Sequence, residues 1–338
     1  MQKISLKDFA KMAGVSPTTV SFVLNGKAEQ MRISKALAGK ISALAEATGY
    51  VPNQIAVSLR TGKSRMIGLI VESISGHFFA SLAQTVEAEA GRFGYKVIYC
   101  STENDSQKGR EMLRMFAHRQ IDGYIITPAA GMEKDVRSLV NQQKPVVLLD
   151  SYFPDYSMPH VLVDNYTGVK KGITHLLKKG RRHIGYITVD LDLIQISQRE
   201  SAYRQTLKDH GIRYNPQHVL RLPYPVCGET AIPEITRFIR SKPQLEALFF
   251  ATNYLGVLGL ESIAGLGLRL PDDLAMVCFD DHDLFRLYPP GITVIKQPVE
   301  AIATRAVQLL MQQLGEKGLS ARNTQVQLPA KLVVRKSS

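Results

Sequence analysis

The chain has 338 residues and is 45% hydrophobic and 21% charged, a composition typical of a globular protein with two or three domains. The formal net charge of +12 is uneven, because residues 1–65 carry ten Lys and Arg against three Asp and Glu, and the rest carry 32 against 27. No apolar run approaches the roughly twenty residues of a membrane-spanning helix, and the N-terminus lacks a signal-peptide core. We therefore expect a cytoplasmic protein without a membrane partner.

The first 26 residues predict two short helices around a tight turn. The first helix begins directly after the cap residue Ser5 and ends at Gly14, and its apolar residues recur at helical spacing. The second begins at Pro17 behind the cap Ser16 and ends at Asn25. This arrangement is typical of a helix-turn-helix that inserts its second helix into the DNA major groove. The alternative is a helical hairpin that binds nothing, and the basic surroundings favour DNA.

A third helix is predicted to begin after the cap residue Ser34 and to end at Gly49. The three helices would form a small bundle. Residues 52–62 then form a short helix-compatible run. An isolated helix of about eight residues is marginal in water, so we expect a hinge that orders when something packs against it. Residues 62–64, Gly-Lys-Ser, resemble the end of a phosphate-binding loop, but Val57 stands where that motif requires glycine.

From Met66 onward, apolar runs alternate with helical patterns, which predicts doubly wound parallel sheets. Strands are predicted at 66–71, 95–100, 121–126, 145–150, 182–188, 247–251, 274–279, 292–296 and 325–334. Helices are predicted at 78–93, 107–118, 132–142, 197–209, 229–240, 254–264 and 299–314. Because the segment at 182–188 echoes that at 65–71, we expect two similar lobes with a cleft between them.

The three cysteines, Cys100, Cys227 and Cys278, are far apart and show no metal-ligand or disulfide spacing. Free cysteines are among the most buried residues, so we expect all three to be buried apolar filler. The sequence accordingly predicts no metal site and no cofactor.

Short segments in the right order match one known family. They are Lys7 to Ser16, Thr19-Val20-Ser21, Pro52-Asn53, Gly68-Leu69-Ile70, Phe78-Phe79, Asp122-Gly123, Val163-Asp164-Asn165, His183-Ile184-Gly185, Pro271-Asp272-Asp273, Phe279-Asp280-Asp281 and Gln297-Pro298. On these segments the chain resembles the lac repressor / galactose repressor (LacI/GalR) family of bacterial transcription regulators over essentially its whole length.

The resemblance implies an α/β fold with an N-terminal helix-turn-helix DNA-binding domain, a hinge helix and a two-lobed periplasmic-binding-protein-like domain. The implied boundaries are 1–50, 51–63 and 64–338, with lobe 1 about 64–162 plus 292–338 and lobe 2 about 163–291. It also implies a homodimer on a palindromic operator. Because the chain ends without a leucine-rich tail, we expect a dimer rather than a tetramer.

The resemblance assigns DNA contacts to both N-terminal segments. Those in the helix-turn-helix are Lys3, Ser5, Ser16, Pro17, Thr18, Thr19, Ser21, Phe22 and Asn25, and those in the hinge are Asn53, Ala56 and Leu59. Leu59 would be an apolar wedge at a base step in the minor groove. Phe22 departs from the polar or basic residue frequent at its position, since it can contact a thymine methyl but cannot pair with guanine.

The effector would bind between the lobes. The resemblance and the ends of the predicted strands suggest Phe78, Phe79, Asp150, Arg199, Asn253, Tyr254, Asp280 and Gln297 as its contacts. Phe78 and Phe79 either stack on a sugar ring or pack in the core. Asp164 either contributes to the site or caps a helix. Tyr254 and Cys278 replace the Asp and the Gly that are usual in the family.

These residues predict a repressor of a carbohydrate-utilisation operon, controlled by a sugar or sugar-phosphate effector. A transport-type sugar-binding protein is the second hypothesis, and it conflicts with the missing signal peptide. An enzyme is the third, and it lacks a Ser/His/Asp set, a phosphate loop or a metal cluster. We therefore predict that the protein is not an enzyme.

Overall fold

Residues 4–51, 58, 61–315 and 324–338 are described by the structure, which is a computed structural model. Most of the predicted hinge lies outside the described residues, and so do its predicted contacts Asn53, Ala56 and Leu59. Lys3, near the N-terminus, also lies outside them. The chain divides into two compact units, Met1–Arg65 and Met66–Ser338. Within the described ranges, no helix is long and apolar enough to cross a membrane.

The N-terminal unit contains three helices, α1 (Leu6–Ala13), α2 (Pro17–Leu24) and α3 (Lys35–Thr48). Each begins at a serine whose hydroxyl accepts a hydrogen bond from a backbone N–H three residues later. The core is small and is closed by Phe9, whose ring stacks on that of Tyr50 with the centroids 4.2 Å apart. This unit follows the predicted helices closely.

The second unit contains twelve strands. They are β1 (Met66–Val71), β2 (Lys96–Ser101), β3 (Gly123–Ile126), β4 (Val146–Leu149), β5 (His160–Val163), β6 (Ile184–Asp190), β7 (Val219–Pro223), β8 (Ala247–Phe250), β9 (Ala275–Phe279), β10 (Thr293–Lys296), β11 (Gln325–Leu328) and β12 (Lys331–Val333). They form two six-stranded sheets, ordered β11-β5-β4-β3-β1-β2 and β12-β10-β9-β8-β6-β7. All the pairings are parallel except that of β10 with β12.

Helices cover both faces of each sheet. They are α4 (His77–Arg92), α5 (Ser106–His118), α6 (Glu133–Asn141), α7 (Asn165–Lys178), α8 (Ile194–Asp209), α9 (Gly228–Arg240), α10 (Asn253–Gly265), α11 (Asp283–Leu287) and α12 (Val299–Gln313), with a 3-10 turn at Pro216–His218. The helices α4 and α12 share one apolar core with the first sheet. The helices α7 and α8 share another with the second sheet. Each sheet is therefore the middle layer of its own lobe.

The structure differs from the expected lobe boundaries near the C-terminus. The strand β10 pairs with β9, so it belongs to the second sheet rather than to lobe 1. The predicted strand at 325–334 is two short strands, and β11 pairs with β5 whereas β12 pairs with β10. The chain therefore crosses between lobes three times, after β5, after β10 and between β11 and β12. The apolar pattern alone does not reveal such a crossover, because both halves of the strand are equally apolar.

The expectation of three buried cysteines is wrong for Cys227. Cys278 is buried, Cys100 is intermediate and Cys227 is exposed. Cys227 is the cap residue directly before α9, so its side chain lies at a helix end on the surface. The general preference of free cysteine for the interior does not apply at such a position.

Candidate functional site

The outer face of α2 presents the residues that were predicted to read DNA. Pro17 and Thr18 are exposed and Ser21 and Phe22 are partly exposed, whereas Val20 and Val23 on the opposite face are buried. The helix ends at Asn25, whose side-chain amide donates to the Ser21 carbonyl at 2.6 Å. The outer face of α2 is therefore a short, accessible and largely uncharged surface of the kind that enters a major groove.

Five of the predicted DNA contacts, Ser5, Ser16, Thr19, Ser21 and Asn25, have side-chain hydrogen bonds to neighbouring residues. The Ser16 hydroxyl accepts from the Thr19 N–H at 3.1 Å and is hydrogen-bonded to the Thr19 hydroxyl at 2.9 Å. Ser5 caps α1 by accepting from the Asp8 N–H. Ser5 and Ser16 cap the starts of α1 and α2, whereas Pro17, Thr18 and Phe22 are the predicted contacts without a side-chain hydrogen bond among the residues that the structure describes.

A cavity of about 590 Å³ lies between the two lobes, where the carboxyl ends of both sheets face each other. Ligands of open α/β sheets bind at this edge, outside the ends of the parallel strands. The structure brings all eight predicted effector contacts to its walls: Phe78, Phe79, Asp150, Arg199, Asn253, Tyr254, Asp280 and Gln297. Residues that are far apart in the sequence thus converge on one space.

Asp150 and Asp280 occupy matching places in the two lobes. Each directly follows the strand that is third in the order of its sheet, β4 or β9, and each has a left-handed backbone, with φ of 63° and 72°. Their N–H groups donate to Val161 and Ile295 in the next strand, at 3.2 and 2.9 Å. Outside glycine this conformation costs on the order of 1 kcal/mol, and it is tolerated where it positions a side chain. Here both carboxylates line the cavity.

Arg199 is buried and held from three sides. Its Nε donates to the Asn165 side-chain oxygen at 2.8 Å, and its Nη1 donates to the Ala251 carbonyl at 2.7 Å. The guanidinium carbon lies 3.7 Å from the centroid of the Phe279 ring, which is a cation–π contact. These contacts fix a single positive charge that favours the ionised forms of Asp150 and Asp280.

Burial nevertheless raises the pKa values of the cavity carboxyl groups and so makes them weaker acids. It raises the pKa of Asp150 to about 6, against the opposing effect of Arg199. It also raises the pKa of Asp280. The pKa of Glu72, which directly follows β1, rises to about 7 because of burial and of the negative charge of Asp150. The charged form of each group is therefore costly in this cavity.

Side chains of the two lobes meet at the cavity. Gln195, at the start of α8 in lobe 2, donates from Nε2 to Asp150 Oδ2 of lobe 1 at 3.2 Å. The rings of His77 and His282 also approach across the cleft, with centroids 4.7 Å apart. A change in the distance between the lobes would therefore alter contacts between groups that line the cavity.

The sequence left open whether Phe78 and Phe79 face the ligand or pack in the core, and the structure shows features of both. Both side chains line the cavity and both are less than a tenth exposed, in the apolar core of lobe 1. Their rings make an edge contact with centroids 4.9 Å apart. Asp164 takes the cap alternative, because it accepts from the Thr167 N–H at 2.9 Å where α7 begins.

Several cavity residues were not predicted from the sequence. They are Glu72, His77, Gln195, Tyr224, Thr252 and His282. Glu72 carried a usable signal, since it follows a predicted apolar strand as Asp150 does. Tyr224 follows β7, which was not predicted, and therefore could not be placed.

A helix-turn-helix unit together with a two-lobed ligand-binding unit defines a class of DNA-binding regulator. The family model "Bacterial regulatory proteins, lacI family" matches residues 5–53, and the model "Periplasmic binding protein-like domain" matches residues 173–338. The transcriptional regulator KdgR of Bacillus subtilis is 32% identical over 98% of this chain and 97% of its own. The chain therefore belongs to the LacI family of bacterial transcription regulators.

Two further comparisons agree with this assignment. The ribose operon repressor of Halalkalibacterium halodurans is 29% identical over 99% of this chain and 97% of its own. A crystal structure of the lac repressor bound to ONPG has the same fold, with a TM-score of 0.85 and 22% identity over the whole of both chains. The predicted family and fold class are confirmed, and the family is one of DNA-binding regulators rather than enzymes.

Proposed function

We propose that this protein is an allosteric repressor of a carbohydrate-utilisation operon. It would bind a palindromic operator as a homodimer, and a small sugar-like effector between the lobes would control its DNA affinity. Its site of action would be the nucleoid in the bacterial cytoplasm. The observation that carries the proposal is the convergence of polar groups from both lobes on one cavity, in a chain that also has an accessible helix α2.

The DNA side rests on the accessible residues of α2. A helix of eight residues covers only a few base pairs, so one copy gives limited specificity. Two copies related by a two-fold axis read two half-sites, which is why a dimer requires a palindromic operator. In this proposal Thr18 and Phe22 contact base edges, and Phe22 favours a thymine methyl.

The effector side rests on the contacts across the cleft. A ligand that competes for Asp150 weakens its bond to Gln195 and so changes the free-energy difference between open and closed lobes. The operator affinity responds if the two lobe arrangements differ in how they permit the dimer to hold its two DNA-binding units. The predicted hinge at 51–63 would transmit that difference.

A carbohydrate effector is supported by the chemistry of the cavity. Carboxylates, amides and a guanidinium around aromatic side chains provide hydrogen-bond partners for hydroxyl groups and a flat surface for a sugar ring. The name of one relative refers to a ribose operon.

The test is selection of bound sequences from a random duplex pool with the purified full-length protein. We expect enrichment of a palindrome with a pair of symmetric half-sites. Repeating the selection with Phe22→Gln should change the preferred base at one symmetric pair of positions and leave the others unchanged. Enrichment of sequences without two-fold symmetry, or no enrichment at all, would contradict the proposal.

A further inference from the structure

The two carboxylates Asp150 and Asp280 have different electrostatic surroundings within the cavity. Burial raises the pKa of Asp280, and this rise is opposed by Arg199, by the hydrogen bond that Asp280 accepts from the Gln297 amide at 2.6 Å, and by His77. Asp150 instead accepts from the Gln195 amide at 3.2 Å, and its negative charge adds to the effect of burial that raises the pKa of Glu72, another residue of the cavity wall. Glu72 and Asp150 are therefore a pair of interacting acidic groups on the cavity wall.

The described residues supply little positive charge to balance this pair. Another acid of the cavity wall, Glu103, forms a salt bridge with Lys108 at 3.0 Å. Within the described ranges, by contrast, no Lys or Arg nitrogen lies within 4.0 Å of the carboxylates of Glu72, Asp150 or Asp280. Arg199 opposes the rise in the pKa values of the cavity acids while it donates to Asn165 and Ala251.

The cavity wall also contains buried acceptors that have no donor. Gln195 and Gln297 each use Nε2 to donate to an aspartate, and each leaves Oε1 buried and without a partner. Only 4% of Gln195 and 3% of Gln297 is exposed, so these oxygens are removed from bulk water. A buried acceptor without a donor is unfavourable, and a ligand with several N–H or O–H groups would satisfy it.

Aromatic side chains complete the wall beside these acceptors. Phe78, Phe79, Tyr224 and Tyr254 all line the cavity. Aromatic faces accept the carbon skeleton of a sugar and attract a cation. The cavity therefore combines negative charge, unpaired acceptors and aromatic surface, and each of these favours a ligand rich in donors.

We propose, on the basis of the effector role proposed above, that the effector is a polyhydroxylated amine of the amino-sugar class. Its ammonium group binds between Glu72 and Asp150, and its hydroxyl groups donate to the free oxygens of Gln195 and Gln297. A sugar that carries a phosphate or a carboxylate is disfavoured, because its charge would lie against the same carboxylates. The sequence leads us to expect a sugar or a sugar-phosphate. This proposal restricts the effector to sugars that carry a positive charge.

The test uses isothermal titration of the full-length protein with matched sugars at pH 7.5. Each set contains a hexose, its 2-amino form and its 6-phosphate, in the gluco, galacto and manno series. We expect at least one amino sugar to bind about tenfold more tightly than its parent hexose, and every phosphate to bind more weakly than its parent. Tighter binding of a parent or a phosphate than of every amine, or no binding of any amine, would overturn the proposal.

Two variants show whether the Glu72 charge is responsible. Glu72→Gln keeps the size of the side chain and should lower the affinity for the amine about tenfold while changing that for the parent hexose less than twofold. Glu87→Gln makes the same change in the same lobe outside the cavity, where Glu87 accepts from the Tyr99 hydroxyl at 2.8 Å, and should keep the preference. Loss of the preference in both variants, or in neither, would contradict the assigned role.

Operator binding by the same samples separates this inference from the proposed function. A protein that selects a palindrome but prefers neutral or anionic sugars retains the proposed function and loses the inference. A protein that prefers the amine but selects no symmetric operator retains the inference about the ligand and loses the repressor proposal. The two failures therefore have different signatures.

Discussion

The DNA-binding unit and the interlobe cavity are assembled in opposite ways. In the first unit, each helix cap joins residues three apart, as from Ser16 to Thr19. In the cavity, Gln195 reaches Asp150 across 45 residues and Arg199 reaches Ala251 across 52. The small unit thus depends on a few local bonds and one small core, whereas the cavity depends on how two sheets place distant side chains. This difference predicts where single substitutions act.

The largest effect is expected in the core of the small unit. Phe9→Ala removes a fully buried ring that stacks on Tyr50, and such truncations cost about 3–5 kcal/mol. We expect the DNA-binding unit to unfold and specific DNA binding to disappear, while the larger unit keeps its thermal transition. Calorimetry of the full-length variant measures both units. Parallel loss of the two transitions would show that the units are not independent.

A smaller loss is expected for the buried arginine of the cavity. Arg199→Met leaves the Asn165 side-chain oxygen and the Ala251 carbonyl without their donor, and it removes the positive charge that favours ionised Asp150 and Asp280. We expect the larger unit to lose about 3 kcal/mol and effector binding to vanish. Denaturant unfolding and ligand titration measure these changes, and an unchanged helical signal of the first unit is the control. Wild-type stability would contradict the role given to Arg199.

The Glu72 side chain predicts a pH-dependent effect. Its pKa rises from 4.5 to about 7 on folding, so its stabilising contribution is complete below pH 4.5 and is lost as the pH rises through 7. The difference in unfolding free energy between Glu72→Gln and wild type should therefore shift in favour of the variant by on the order of 3 kcal/mol between pH 4.5 and pH 8. Unfolding curves of both proteins across this range give the difference. A constant difference would mean that the pKa of Glu72 does not change on folding.

The smallest expected effect is on a single helix cap. Ser16→Ala removes the acceptor for the Thr19 N–H at the start of α2 and should destabilise the first unit by about 1 kcal/mol. Ser16→Thr keeps the hydroxyl and should be nearly neutral. Thermal unfolding of the first unit distinguishes the two variants, and an equal loss in both would assign the effect to something other than capping.

The same contrast explains what the sequence could predict. The helices α1 to α3 were predicted within a few residues, because caps, terminal glycines and apolar spacing are local signals. The strands β5 and β7 and the helix α7 were not predicted as elements, and the C-terminal strand was predicted as one instead of two. The order of strands in a sheet is decided by packing over long distances, which the local pattern does not contain.

The cavity was partly predictable for the same reason. Asp150 and Asp280 end strands that are strongly apolar, so their places at the sheet edge follow from the sequence. Gln195 and His282 lie in segments without a motif, and they reach the cavity because the two lobes face each other. Residues of this kind are identified only once both sheets are placed.

The proposed function requires that the cavity and the DNA-binding unit be coupled. The most direct test is to measure the dissociation constant of the selected operator without effector and with a saturating amount of the sugar that binds most tightly in the titrations. We predict a change of at least about fivefold, and saturating operator should change the affinity for the sugar by the same factor, because coupling is reciprocal. Identical operator affinity with and without the sugar would contradict the account.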